Sequence, residues 1–307
     1  MGRDARLRPG WRVFFFLLLA LAGLGLCEGA SITLAGGRNS PLHFLYRAAL
    51  SLPFLALESW LFLSVIDQRS FRTLGLWFYP GWAKEAGTGL AAGAALIAVV
   101  GGVLWTGGLV RYASAPAQAG ANPGLALSFW ALALLLAAAM EELLFRGYGF
   151  QRLVDSVGRA GAMLIFSALF ALGHVGNPGG VTLVSTANTV LAGVLLAVAY
   201  LKTRALWMPI ALHWAWNFVM GPLLGMPVSG LRLHALGVQA EASGRTWLSG
   251  GSYGPEGSIF LTVACLAASL LLGTSGSLAP SATMAKVLEY EAEGTECAGS
   301  SSSPLPG

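Results

Sequence analysis

Charge is scarce in this chain: Asp, Glu, Lys and Arg make up 10% of its 307 residues. A soluble domain carries about 25%, so this inventory does not cover a water-facing surface. Cysteine is nearly absent, and Cys27, Cys265 and Cys297 lie too far apart for a metal or redox spacing. There is no HExxH, which excludes the usual zincin helix. No serine stands in a GxSxG setting or beside a base in a known motif. Asp67 and Asp155 fall in expected loops, which argues against an intramembrane aspartate pair. No internal repeat is visible.

What is abundant is apolar. Hydrophobic residues reach 55% and the mean hydropathy is +0.68, a composition for which a bilayer is the natural solvent. The apolar runs are too long for the short alternating strands of a β-barrel. The expected architecture is therefore all-α, a polytopic bundle of about eight transmembrane helices. The runs cover roughly 13–35, 43–66, 86–110, 125–145, 161–175, 181–201, 206–224 and 258–278. Together they form one domain over 1–278, followed by an acidic, Ser-rich tail over 279–307 that is expected to be disordered. Leu26 stands where a lipoprotein signal needs a small residue before Cys27, so the first helix is expected to be retained. The segment from Gly225 to Gly257, rich in Gly and Ser, is expected to be irregular.

The net charge of +4 is no nucleic-acid signal, because the basic residues sit in short loops between the apolar runs. With a cytoplasmic N-terminus, only Arg38, Arg47, Arg111, Arg232 and Arg245 of the 18 Lys and Arg fall on the outer side. This bias puts both termini in the cytoplasm, in a multi-pass protein of the inner (plasma) membrane.

A charge at mid-membrane costs at least about 2.5–3.5 kcal/mol and calls for a partner or a function. Three clusters stand out. In Met140-Glu141-Glu142-Leu143-Leu144-Phe145-Arg146, Glu142 and Arg146 are four apart and able to pair. Glu141 points about 100° away and must find its partner on another helix. Phe170 and His174 close the fifth run, while His213 and Asn217 share one face of the seventh. Glu141 with His174 can hold and deprotonate a water, and His213 with Asn217 can donate to a developing oxyanion. Glu141, His174 and His213 equally suit a divalent metal such as zinc, so the residues leave open whether a cofactor is present. Trp214 and Trp216 are simplest as packing or interfacial residues, with a groove-lining role as the alternative. The glycines Gly89, Gly93, Gly101 and Gly102 fit close helix packing.

The order EExxxR, FxxxH, HxxxN, carried by Glu141, Glu142, Arg146, Phe170, His174, His213 and Asn217, resembles the CPBP family of bacterial type. That family joins CAAX prenyl proteases and bacteriocin-processing proteins and is also called Abi. The resemblance covers about 124–225, with weaker likeness at 221–225 and 254–257. It implies a glutamate-dependent intramembrane endopeptidase acting on a peptide or membrane-anchored protein. Glu141 and His174 would then activate the water, His213 and Asn217 would form the oxyanion hole, and Glu142, Arg146 and Phe170 would support them. Two other readings stay in view. One is a non-catalytic scaffold or immunity-type protein on the same fold, and the other is a proton-coupled transporter.

Overall fold

The computed structural model describes residues 8–114, 122–233 and 235–300, without the side chains of 292–300. Arg3, Arg6, the Glu293, Glu296 and Cys297 side chains and the Ser/Pro/Gly end at 301–307 lie outside the described residues.

The helices are α1 Pro9–Ala35, α2 Pro41–Leu61, α3 Trp82–Thr106, α4 Pro123–Arg146 and α5 Tyr148–Gly173. They continue as α6 Leu183–Thr203, α7 Trp207–Phe218, the single turn α8 Thr246–Ser249, α9 Ile259–Thr274 and α10 Ala282–Ser300. Their starts are legible in local chemistry. Pro9, Pro41 and Pro123 open α1, α2 and α4, where a missing N–H costs nothing. Ser40 and Asn122 accept bonds from the first-turn N–H groups of α2 and α4, and Thr182 with Ser185 forms a capping box on α6.

Among the described residues, five stretches are apolar and long enough to cross a membrane: 9–35, 41–67, 82–106, 123–173 and 183–203. The fourth contains both α4 and α5. The chain is a helical, multi-pass membrane protein, but eight full spans are not met by length. The seventh expected span is the 12-residue α7 followed by a π-turn at Val219–Leu223, and the eighth is the 16-residue α9. Gly221 and Pro222 interrupt the regular helix there. α5 starts at Tyr148, but Gly158 (φ 77°, ψ 171°) breaks it into two helices, and the part after the break coincides with the fifth expected span. Asp67 also departs from expectation. It is buried at the end of the π-turn that extends α2, accepting from Arg12 at 2.6 Å and facing Arg152 at 3.4 Å.

Two segments expected to be irregular or disordered contain regular pieces among the described residues. Val238–Ala242 forms β2, an antiparallel ribbon with β1 Val110–Ser114. The tail is helical in α10, whose Met284 is fully buried beside Tyr79 and Ala205, and Glu291 accepts from the Ser70 amide.

Small residues set the spacing around α7. A Cβ on Gly89 would come 2.3 Å from the Met208 carbonyl oxygen, and one on Gly93 would come 2.3 Å from that of Leu212. Only glycine lets α3 approach α7 so closely. Gly101 meets the Leu224 and Met226 side chains, whereas Gly102 faces open space and is not a packing glycine.

Candidate active site

α4 turns directly into α5 at Gly147, so its last turn is held at a fixed corner. Glu142 is wholly buried there. Its Oε1 lies 3.1 Å from Arg146 Nη1 and 2.8 Å from His213 Nδ1 on α7. Arg146, also buried, donates from Nη2 to the Gly193 carbonyl on α6 at 2.9 Å and lies 4.8 Å over the Phe170 ring. Gly193 packs against Ser167 of α5, so these two side chains tie four helices together.

Phe170 is the wedge between the histidines. Its ring centroid is 4.5 Å from that of His174 and 6.0 Å from that of His213. His174 Nδ1 lies 2.8 Å from the Phe170 carbonyl oxygen. That carbonyl is an acceptor, so Nδ1 carries the proton and Nε2 of the neutral ring is free to accept one. Glu142 fixes His213 in the same sense, with a charged acceptor in place of a neutral one.

Both Nε2 atoms face Glu141. Its Oε2 stands 4.0 Å from His174 Nε2 and 3.9 Å from His213 Nε2. That oxygen is buried and has no hydrogen-bond partner among the described residues. These separations are too long for direct hydrogen bonds. They match a single bridging oxygen, since two bonds of about 2.8 Å meeting near a right angle span about 4.0 Å. The three residues line one cavity of about 480 Å³ together with Asn217, Phe170 and Trp216.

Zinc fits less well. Bonds of about 2.1 Å hold neighbouring donors of a tetrahedral zinc about 3.4 Å apart, closer than this trio. Among the described residues no group of three His, Cys, Asp or Glu side chains is arranged to hold a metal ion.

Of the tryptophans, Trp214 donates from its indole to the Ala131 carbonyl of α4 at 2.8 Å and is a packing residue. Trp216 instead lines the cavity and donates at 3.0 Å to Glu256, a residue with no role assigned from sequence. Glu256 Oε2 also accepts from the Ser229 hydroxyl at 2.8 Å and from the Ser229 amide. This holds Ser229 at φ 48°, in a tight turn closed by Val228 and Leu231 over the cavity. Burial among these loops pushes the Glu256 carboxyl up, against the Ser229 hydrogen bonds. The only sequence signal for Glu256 was its place in the 254–257 stretch.

No curated protein and no solved structure matches the chain. One family profile does: type II CAAX prenyl endopeptidase Rce1-like, over residues 123–219. The match spans α4 through α7 and contains all three motifs whose side chains meet in the cavity. Over this segment the chain is similar to a family of CAAX-type membrane proteases.

Proposed function

We propose that this chain is an intramembrane endopeptidase in which Glu141 is the general base. The observation that carries this reading is the convergence of the buried, unpartnered Glu141 Oε2 with two imidazole Nε2 atoms at 3.9 and 4.0 Å. A water bound between Glu141 and His174 gives a proton to the carboxylate as its oxygen attacks the peptide carbonyl carbon. The carbonyl oxygen becomes an oxyanion, met by Asn217 and by His213. His213 already gives its Nδ1 proton to Glu142, so donation from Nε2 requires the imidazolium. Glu141 and Glu142, one on each side, offset that charge. The C–N bond then breaks, the proton held by Glu141 passes to the leaving nitrogen, and the products are a carboxylic acid and an amine.

Leu17 and Leu21 of α1 and Leu172 of α5 line the cavity, and Leu21 and Leu172 are exposed on the outside of the bundle. An apolar opening of this kind suits a peptide or membrane-anchored protein arriving from the bilayer. The enzyme works in the plasma membrane with both termini cytoplasmic, following the bias of its basic residues.

The test is incubation of the purified protein, in detergent and in nanodiscs, with a library of quenched peptides, some lipidated. Cleavage at defined bonds supports the endopeptidase. Failure of folded protein to cleave any member favours a non-catalytic scaffold on the same fold.

A further inference from the structure

Most charges inside the bundle are matched. Arg12 pairs with Asp67, Arg152 with Asp67 and Asp155, and Glu142 holds both Arg146 and His213. Glu256 is different. It sits in the short turn Pro255–Gly257 just before α9 and lines the same cavity as Glu141, His174 and His213. All three hydrogen bonds to its carboxylate come from neutral donors: the Trp216 indole on Oε1, and the Ser229 amide and hydroxyl on Oε2. Among the described residues it makes no ion pair, although Arg47 lines the same cavity. His174 acts on it through space, but that ring is neutral as placed, with Nδ1 on the Phe170 carbonyl and Nε2 toward Glu141. Burial pushes the Glu256 carboxyl up, as expected of an acid whose charge no cation offsets. Glu58 and Glu85, two other buried acids without a cation, do not line the cavity.

The three bonds have a structural use, since they hold the Ser229 turn over the cavity. That use needs an acceptor and not a charge. The turn is also braced by its backbone: Gly230 donates to the Tyr253 carbonyl at 2.9 Å, and Val228 and Leu231 exchange bonds of 2.9 and 2.8 Å. A carboxylate accepts about four hydrogen bonds, so one site on Oε1 stays open. The surrounding wall is polar too. Asn188, another lining residue, donates to the Glu256 carbonyl at 2.8 Å, and Asn177 and Thr189 line the cavity beside Tyr253. Trp216 stands three residues after His213 on α7, so their Cβ atoms are about 5–6 Å apart. A single hydrogen bond of 3.0 Å then joins its indole to Glu256. The carboxylate is therefore within reach of a side chain about one to three residues from the cleaved bond, at roughly 3.3 Å per extended residue.

Resting on the protease reading, we infer that Glu256 is a specificity-determining residue that receives a Lys or Arg side chain of the substrate, about one to three residues from the cleaved bond. An ammonium or guanidinium supplies the missing counter-charge and donates to the open site on Oε1. A charge-assisted bond of this kind is roughly twice as strong as a neutral one. A metal ion is disfavoured as the cation, because among the described residues no group of three His, Cys, Asp or Glu side chains surrounds this point.

The experiment walks one residue of the best library peptide through the three positions on each side of the cleaved bond, as Lys, its uncharged analogue norleucine, or Glu. The wild type is expected to prefer Lys over norleucine in kcat/KM by about tenfold at one of these positions and to reject Glu there. In Glu256→Gln the Lys-to-norleucine ratio falls to near one, whereas Glu256→Asp keeps part of it. If Glu256 does no more than hold the Ser229 turn, Glu256→Gln lowers all rates alike and leaves the ratio as it was, which overturns the inference. A wild type with no Lys preference at any of the positions overturns it too. Each ratio is read within one preparation, so partial misfolding does not imitate the effect. Should Glu256→Gln fail to fold, a carbodiimide is used to join the bound Lys peptide to the wild-type protein, and mass spectrometry locates the new amide. An amide on Glu256 supports the inference, and amides on other carboxylates alone overturn it. Binding of the Lys and norleucine peptides to Glu141→Ala protein, with and without Glu256→Gln, is read by fluorescence anisotropy and separates the two readings. A Glu256-dependent preference in binding without wild-type cleavage keeps the cation site and removes the protease.

Discussion

Glu142 of α4 and His213 of α7 are joined at 2.8 Å between Oε1 and Nδ1, inside the bundle and away from water. The same carboxylate oxygen also holds Arg146 at 3.1 Å. One side chain therefore neutralises a buried guanidinium and fixes which nitrogen of His213 faces Glu141. Replacing Glu142 with Gln leaves the Arg146 charge uncompensated, which costs about 3–5 kcal/mol. Reversible unfolding in mixed micelles is expected to show that loss, together with a fall in peptide cleavage. Unchanged stability would remove Glu142 from the structural role given to it.

Phe170 acts by shape. Its ring separates the two imidazoles and carries Arg146 on its face. Phe170→Ala is expected to lose about 3–5 kcal/mol of stability. Phe170→Leu keeps most of the volume but not the flat face, and is expected to lower kcat more than it lowers stability. Activity and unfolding measured on both variants check the order.

Glycines of α3 separate close packing from mere composition. A side chain on Gly93 meets the Leu212 carbonyl, one residue before His213, and the helices must part. Gly93→Val is expected to destabilise by about 1–3 kcal/mol and to reduce cleavage. Gly102→Ala, into open space, is expected to change stability by less than about 1 kcal/mol and to leave cleavage intact. Equal effects at the two positions would contradict the packing argument.

The spacing of Glu141, His174 and His213 suits a water better than a zinc. Cleavage is therefore expected to survive exhaustive dialysis against a strong chelator, with metal content followed by mass spectrometry. Activity lost on dialysis and restored by added zinc would show that the trio closes around a metal.

Much of this site was legible in the sequence because buried charge is so rare in such a chain. Glu141, Glu142, His174 and His213 stood out by being polar inside apolar runs, and helical geometry alone sent Glu142 toward Arg146 and Glu141 elsewhere. The partner of His213 was not legible, since pairing between helices leaves no mark in local spacing. Glu256 was missed for a related reason: it faces the same cavity as residues far away in the chain. The structure of the 225–257 segment was hidden by its glycines. Gly230, Gly250 and Gly254 adopt positive φ and press against neighbouring backbone, and in sequence such residues look like any flexible loop. Length alone does not confirm the expected span count where a π-turn and short helices replace regular ones, as after Phe218.

The most direct test of the central claim is the cleavage rate of the best library peptide by wild type, Glu141→Gln and His174→Ala, purified alike and shown to be folded. Glu141→Gln keeps the shape and removes the base, so the account predicts a loss of about 10²–10⁴-fold or more, with His174→Ala also strongly impaired. Cleavage by Glu141→Gln at the wild-type rate would contradict it.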